Sequence, residues 1–224
     1  LFNCSTDKLR RLFLAVDDTV LHPRSNTPRP AHTATPEQPV IVHFHGEYTP
    51  FHGVSTIIRA AKQLQDADAP VVFQIVGKGI TYEADRALAD SLGVTNIRFI
   101  DSVPYPELAD LMEQADICLG IFGDNHRAEL VITNKVIEAL GMRKPLITRD
   151  NAPVRELLTH DKTALLIPPV DPEALADAIQ TLANDPQKRQ AMADAGYERF
   201  AEYGTIAKLG EGFNAVLAEV APTH

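Results

Sequence analysis

Positive charge is in short supply in this chain. Among 224 residues, 21 lysines and arginines face 30 aspartates and glutamates, a formal net charge of −9. A protein that grips a phosphate backbone presents a cationic face, so this balance argues against a nucleic-acid partner and against a membrane surface held by basic residues. Cysteine is scarcer still. Cys4 and Cys118 are too few for a disulfide framework, and Cys118 lies in the apolar run Asp116 to Ile121, where a buried free thiol is expected. No apolar stretch reaches the roughly 18 residues that a membrane-spanning helix needs, and no basic-then-apolar leader is present. The expected location is cytoplasmic, and the first residue, Leu1, reads as the start of a piece of something longer. Three signatures of chemistry are also missing: the phosphate loop Gly-x-x-x-x-Gly-Lys-Ser/Thr, the dinucleotide fingerprint Gly-x-Gly-x-x-Gly, and the nucleophile elbow Gly-x-Ser-x-Gly. ATP, nicotinamide and serine-nucleophile chemistry lose support accordingly.

What remains is ordinary globular composition, 45% hydrophobic and 23% charged, which suffices to bury a core at a length that favours one large domain. The opening segment is amphipathic through Leu9, Leu12, Phe13 and Leu14. From Asp17 to Pro39, prolines at 23, 28, 30, 36 and 39 break regular structure, so this stretch reads as a linker or a surface-hugging strap, and residues 1–39 together as an interdomain segment and linker. After Pro39, short β-rich apolar runs alternate with stretches of 3.6-residue periodicity. The predicted strands are Val40 to Phe44, Val71 to Val76, Ile97 to Ile100, Ile117 to Ile121, Pro145 to Thr148 and Ala164 to Ile167. Predicted helices cover Ser55 to Gln65, Tyr82 to Leu92, Pro106 to Gln114, Asn134 to Leu140, Ala152 to Leu158, Pro172 to Asn184 and Pro186 to Glu202. Asp171 and Asp185 each precede a proline, an acceptor side chain followed by a residue suited to the first turn. Repeated βα units of this kind imply an α/β fold, a doubly wound parallel six-stranded sheet over residues 40–202. Ligands bind outside the carboxyl ends of its strands.

Three loops at those strand ends carry candidate chemistry. The first, Phe44 to Gly53, holds Gly46 and Gly53, which let backbone approach a ligand or simply make a turn, before a helix start that favours an anion. The second, Gly77-Lys78-Gly79, brackets a lysine and suits a phosphate. The third, Thr133-Asn134-Lys135-Val136-Ile137-Glu138, lets Thr133 or Asn134 cap a helix. Lys135 then sits in the first turn, and Glu138 follows one turn on, sharing its face. An anion site with a carboxylate one turn below suits a sugar diphosphate whose ribose hydroxyls need an acceptor; an ordinary Lys/Glu pair is the plainer alternative. His43 and His45 put two imidazoles on one strand face, but no third ligand is evident, so no metal site is expected.

Val40 to about Ser91, Ile97 to Asp124, and above all Thr133 to Leu140 followed by Lys144-Pro145-Leu146-Ile147-Thr148 resemble the C-terminal, donor-binding Rossmann domain of a GT-B glycosyltransferase. The group resembled is the large retaining one that includes bacterial sugar transferases of polysaccharide synthesis. Leu14 to Asp18 and His22-Pro23 resemble the segment joining its two domains, and the similarity runs from about Leu12 to Glu202. The resemblance implies a UDP- or GDP-linked sugar donor, transfer to an acceptor hydroxyl with retention, and neither a metal nor any other cofactor. It makes Glu138 the second glutamate of a Glu-x7-Glu motif, the ribose acceptor. Gly46, His52 and Gly53 become the first loop at the diphosphate, Gly77, Lys78 and Gly79 the second loop, and Val103 the rim around the base. Glu138, Lys135 and Glu129 are the catalytic candidates; Thr133 and Asn134 join the donor-binding set.

The chain departs from the group's pattern at three places. The first glutamate of the motif falls on Leu130, with Glu129 beside it; His52 stands where a base is usual; and Glu47 to Phe51 contains no arginine. Lys78, Lys135 and Arg127 are the residues able to restore the charge. The acceptor, and any peripheral membrane contact, would come through an N-terminal domain that this chain does not contain. Residues 203–224 are expected to form a helix crossing to that domain, and this chain alone is expected to bind donor weakly and transfer nothing. A noncatalytic nucleotide-binding module and half of a nucleotide-sugar epimerase are the alternative readings.

Overall fold

The computed structural model describes residue 5, residues 8–24 and residues 32–220. Cys4, Pro28, Pro30 and the end of the predicted C-terminal helix past Val220 lie outside them. Six strands form one parallel sheet: β1 (Val40–His45), β2 (Val71–Val76), β3 (Ile97–Ile100), β4 (Ile117–Leu119), β5 (Leu146–Arg149) and β6 (Leu165–Ile167), ordered β3-β2-β1-β4-β5-β6. The central strands are rich in Val, Ile and Phe because helices cover both faces of the sheet, leaving no solvated side to demand alternation. β1 pairs with β2 on one flank, with Val42 opposite Phe73, and with β4 on the other, with Val42 opposite Ile117. Strand order therefore reverses beside β1, which opens a crevice at its carboxyl end.

The connecting helices are α1 (Val54–Asp66), α2 (Tyr82–Ser91), α3 (Tyr105–Gln114), α4 (His126–Glu129), α5 (Asn134–Gly141), α6 (Ala152–Leu157), α7 (Pro172–Asn184), α8 (Pro186–Tyr203) and α9 (Ile206–Val220). Asp171 accepts from Ala174 N–H at 2.9 Å and Asp185 from Lys188 N–H at 2.8 Å, so both aspartate-proline starts act as caps. The predicted run Ile117 to Ile121 stops as a strand at Leu119, and the chain turns under the first loop, where Phe122 N–H donates to the His52 carbonyl at 3.0 Å. The short α4 has no counterpart among the predicted helices because four residues show no periodicity; only its cap, Asn125 accepting from Ala128 N–H at 3.0 Å, betrays it.

A large apolar cluster, with Ile57, Ile58, Phe73 and Ile179, lies between the sheet and α1 and α7. A second, with Met112, Ile137, Leu140 and Phe200, lies under α3, α5 and α8. Val16 and Leu21, from the segment read as linker, belong to the second cluster, and Leu21 is completely buried. Val16 also bridges to Thr205, and Phe13 meets Tyr203 edge-on. Among the described residues of α9 none is buried, and no described helix is long and apolar enough to cross a membrane.

Candidate functional site

The first two loops leave the ends of β1 and β2 locked together by backbone. Gly46 N–H donates to the Val76 carbonyl and Tyr48 N–H to the Lys78 carbonyl, both at 3.0 Å, and Thr81 N–H donates to the Tyr48 carbonyl at 3.1 Å. A Cβ on Gly77, where φ is +125°, would stand 2.1 Å from the Gly46 carbonyl oxygen. One on Gly79 would stand 2.5 Å from the Tyr48 backbone. Gly53, at φ +69°, backs onto Phe122 and Gly123 in the same way. Glycine is thus required at 53, 77 and 79 for backbone to pass backbone.

Gly46 borders two hollows. One, of about 390 Å³, runs between the first loop and the start of α5 and is lined by His45, Gly46, His52, Arg127, Lys135 and Glu138, with Thr133 and Asn134 at the helix end. The other, of about 350 Å³, is lined by Glu47, Gly77, Lys78, Ser102, Val103 and Leu108. The third loop brings its two charged residues inward: Lys135 and Glu138, three apart on α5, are both 6% exposed. Thr133 occupies the cap position without making a cap bond, and its buried hydroxyl has no partner. The start of α5 therefore faces the larger hollow with its own hydroxyl unsatisfied, next to amides that favour an anion.

Lys135 Nζ reaches back to the first loop, donating to His52 Nε2 at 2.9 Å and lying 5.1 Å from the Phe44 ring centroid. His52 Nδ1 donates to the Glu47 carbonyl, which leaves Nε2 as the acceptor. Burial pulls the Lys135 ammonium down to about 7, against an opposing pull from Glu138. Burial, reinforced by the charge of Lys135, pulls His52 to about 4. Near neutral pH Lys135 is therefore poised between its charged and neutral forms, and His52 is its neutral seat.

Glu138 Oε2 accepts from His45 Nε2 at 2.6 Å and Oε1 from the Tyr105 hydroxyl at 3.2 Å. Burial is the strongest single influence and opposes ionisation. The His45 and Tyr105 bonds, with the charge of Lys135, outweigh it and hold the carboxyl below its ordinary range. Glu138 is consequently an ionised acceptor at the floor of the cavity. The imidazoles of His43 and His45 are bonded to each other at 3.0 Å, and no cluster of metal-ligating side chains occurs among the described residues.

The structure thus brings Gly46, His52, Thr133, Asn134, Lys135 and Glu138 to one cavity. Gly77, Lys78 and Val103 gather in the adjoining hollow, where Lys78 is paired with Asp101 at 3.0 Å. Glu129 is not brought there: it is exposed on α4, 3.6 Å from His126, and Leu130 is 60% exposed. Arg127 does reach the cavity, stacked over Phe51 at 4.4 Å. The sequence expectations include no site role for His45 or Tyr105, and the structure brings both onto Glu138. The available signal for His45 was its place as the last residue of β1, on the face shared with His43; Tyr105, at the start of α3, had none.

Comparison with known proteins identifies the family and the fold. The family described as glycosyl transferases group 1 matches residues 27–199. The D-inositol 3-phosphate glycosyltransferase of Corynebacterium glutamicum is 29% identical over 188 residues, covering 80% of this chain and 44% of the relative. The phosphatidyl-myo-inositol mannosyltransferase of Mycobacterium leprae is 30% identical over 165 residues, covering 72% of this chain and 42% of the relative. Among solved structures, Anabaena HepE in complex with UDP and glucose superposes with a TM-score of 0.75 at 18% identity, covering 93% of this chain and 56% of that one. The chain spans less than half the length of these two curated relatives. With the family matched across most of its length and a six-stranded parallel sheet of Rossmann order, the chain belongs to the glycosyl transferases group 1 family and forms a Rossmann-like half of the GT-B fold.

Proposed function

We propose that residues 40–202 bind the nucleotide-sugar donor of a glycosyltransferase that passes the sugar to an acceptor hydroxyl with retention. The segments 1–39 and 203–224 join this half to one carrying the acceptor site. The observation that carries the reading is the shared inward face of α5, where Lys135 and the unpartnered Thr133 hydroxyl stand one turn above the ionised Glu138. The diphosphate lies at the start of α5, with Lys135 and Arg127 beside it. Glu138 accepts from ribose hydroxyls, and the base extends over Gly46 toward Val103. As the bond from sugar C1 to the diphosphate breaks, its electron pair moves to a phosphate oxygen, where the α5 amides and Lys135 are already oriented to receive charge. The acceptor oxygen then bonds C1 and passes its proton to the departing phosphate oxygen, so the diphosphate leaves protonated and the new glycoside is neutral at that oxygen. A UDP- or GDP-linked donor is consistent with the site, and UDP is the first to try because related folds hold UDP and UDP-glucose.

Calorimetric titration of the chain with UDP, GDP and UDP-sugars tests the reading. Saturable binding that weakens about tenfold in Glu138→Gln is expected, in line with the loss of a charged hydrogen-bond acceptor. Binding that ignores Glu138→Gln would remove the ribose assignment. In a protein that also carries the N-terminal half, sugar conversion without any acceptor would replace transfer with epimerisation, and nucleotide binding without turnover would leave a binding module.

A further inference from the structure

Beneath Glu138 runs a buried line of polar side chains that the proposed chemistry does not use. Gln74, on β2, is 5% exposed; His43 and His45, on β1, are 1% and 7% exposed. Gln74 Nε2 donates to the Leu111 carbonyl at 2.8 Å and lies 2.9 Å from His43 Nδ1. A carbonyl only accepts, so the nitrogen of the Gln74 amide must be on this side, and its second hydrogen points at His43 Nδ1. That nitrogen is then an acceptor, and the His43 proton sits on Nε2, 3.0 Å from His45 Nδ1. His45 in turn accepts on Nδ1 and carries its proton on Nε2, 2.6 Å from Glu138 Oε2.

We infer that Gln74 and His43 are positioning residues of the donor site: the Gln74 amide, anchored on the Leu111 carbonyl, starts a line of donation that runs one way through both imidazoles to Glu138. Burial pushes the His43 imidazole well below its ordinary value, with the neighbouring His45 and Lys144 adding to the effect, so this ring relays as a neutral group. The line ties Oε2 of Glu138 from below with a donor. The other oxygen, Oε1, holds only the longer bond from Tyr105, at 3.2 Å, and is the one a ribose hydroxyl can take. In the reversed order, the His45 Nε2 lone pair would face the carboxylate and push Glu138 out of place. Apolar residues of similar volume would fill the space without pointing a donor at Glu138. What the polar residues add is direction. The inference rests on the reading of Glu138 as the ribose acceptor.

The test uses this chain, with UDP and inorganic pyrophosphate as probes. Gln74→Met removes the anchoring amide with little change in volume. UDP is expected to bind roughly three- to tenfold more weakly to this variant, while pyrophosphate, which has no ribose, binds as before. Equal losses for both probes, or no loss for UDP, would overturn the inference. A long-range proton–nitrogen NMR correlation on the unsubstituted chain reads the two tautomers directly, whether or not the variant folds. Protons on Nε2 of both rings are expected, and a proton on Nδ1 of either ring refutes the order. If Glu138→Gln weakens UDP binding and Gln74→Met does not, the line alone falls. If Glu138→Gln has no effect, the reading of the site falls with it.

Discussion

Lys135 is a buried amine without a buried anion in direct contact, and burial lowers its affinity for a proton. Its value of about 7, lowered by burial from an ordinary 10.5, means that the unfolded chain holds a proton between those limits that the folded chain has released. This group therefore makes the fold more stable as pH rises from about 7 toward 10.5, and its full cost is present below about 7. Diphosphate binding runs the other way, because the anion selects the ammonium form. Titrations at pH 8 in buffers of different ionisation enthalpy are expected to show proton uptake with UDP. Lys135→Met abolishes that uptake and weakens binding about tenfold or more, the scale of one charge-assisted hydrogen bond. Uptake that persists in Lys135→Met would assign the proton elsewhere. Cys118 is the opposite case: fully buried, its thiol is raised to about 12, and thiol reagents are expected to reach it only on unfolding. The sequence marked Lys135 as a charge at a helix start, but not its seat on His52, which lies 83 residues earlier in the chain.

At the scale of elements, the glycines separate two kinds of requirement. Gly77→Ala would place a Cβ 2.1 Å from the Gly46 carbonyl oxygen at a φ of +125°, so it forces the first two loops apart. A loss of about 3 kcal/mol or more is expected, together with a weakened donor site. Gly93 has a φ of +64° but nothing within 4 Å, and Gly93→Ala is expected to cost only the left-handed strain of about 1 kcal/mol. Urea unfolding of the two variants checks the contrast, and equal costs would refute the loop contact. Strands and long helices were legible because burial on both sheet faces, 3.6-residue spacing and aspartate-proline starts are local signals. The tight loop turns were legible as glycines but not in purpose, since the backbone each one passes comes from a distant segment.

For the whole molecule, the segment before β1 and the helix after α8 differ in how much of the core they hold. Leu21 is completely buried beside α3 and α5, so Leu21→Ala is expected to cost about 2–4 kcal/mol. Removing residues 206–220 takes away no buried residue and is expected to shift stability by less than about 1 kcal/mol. Denaturant midpoints of the two variants decide it; a large loss on truncation would show that α9 holds the strap in place. The proline-rich composition before Val40 agrees with irregular chain at the described residues 17–24 and 32–39, yet no local pattern marked Val16 and Leu21, whose burial depends on a surface built by residues more than 80 positions away.

The alternation of β-rich runs with helical periodicity was enough to specify a doubly wound parallel sheet, and the spacing of Lys135 and Glu138 was enough to place them on one helix face. Both properties are written within a few neighbouring residues. Which groups those two side chains meet was decided by the sheet order, which sets β1 between β2 and β4 and carries α5 back over its end. His45 bonds Glu138 across 93 residues and Gln74 bonds His43 across 31. Contacts of that range follow from how the strands are wound rather than from any local pattern.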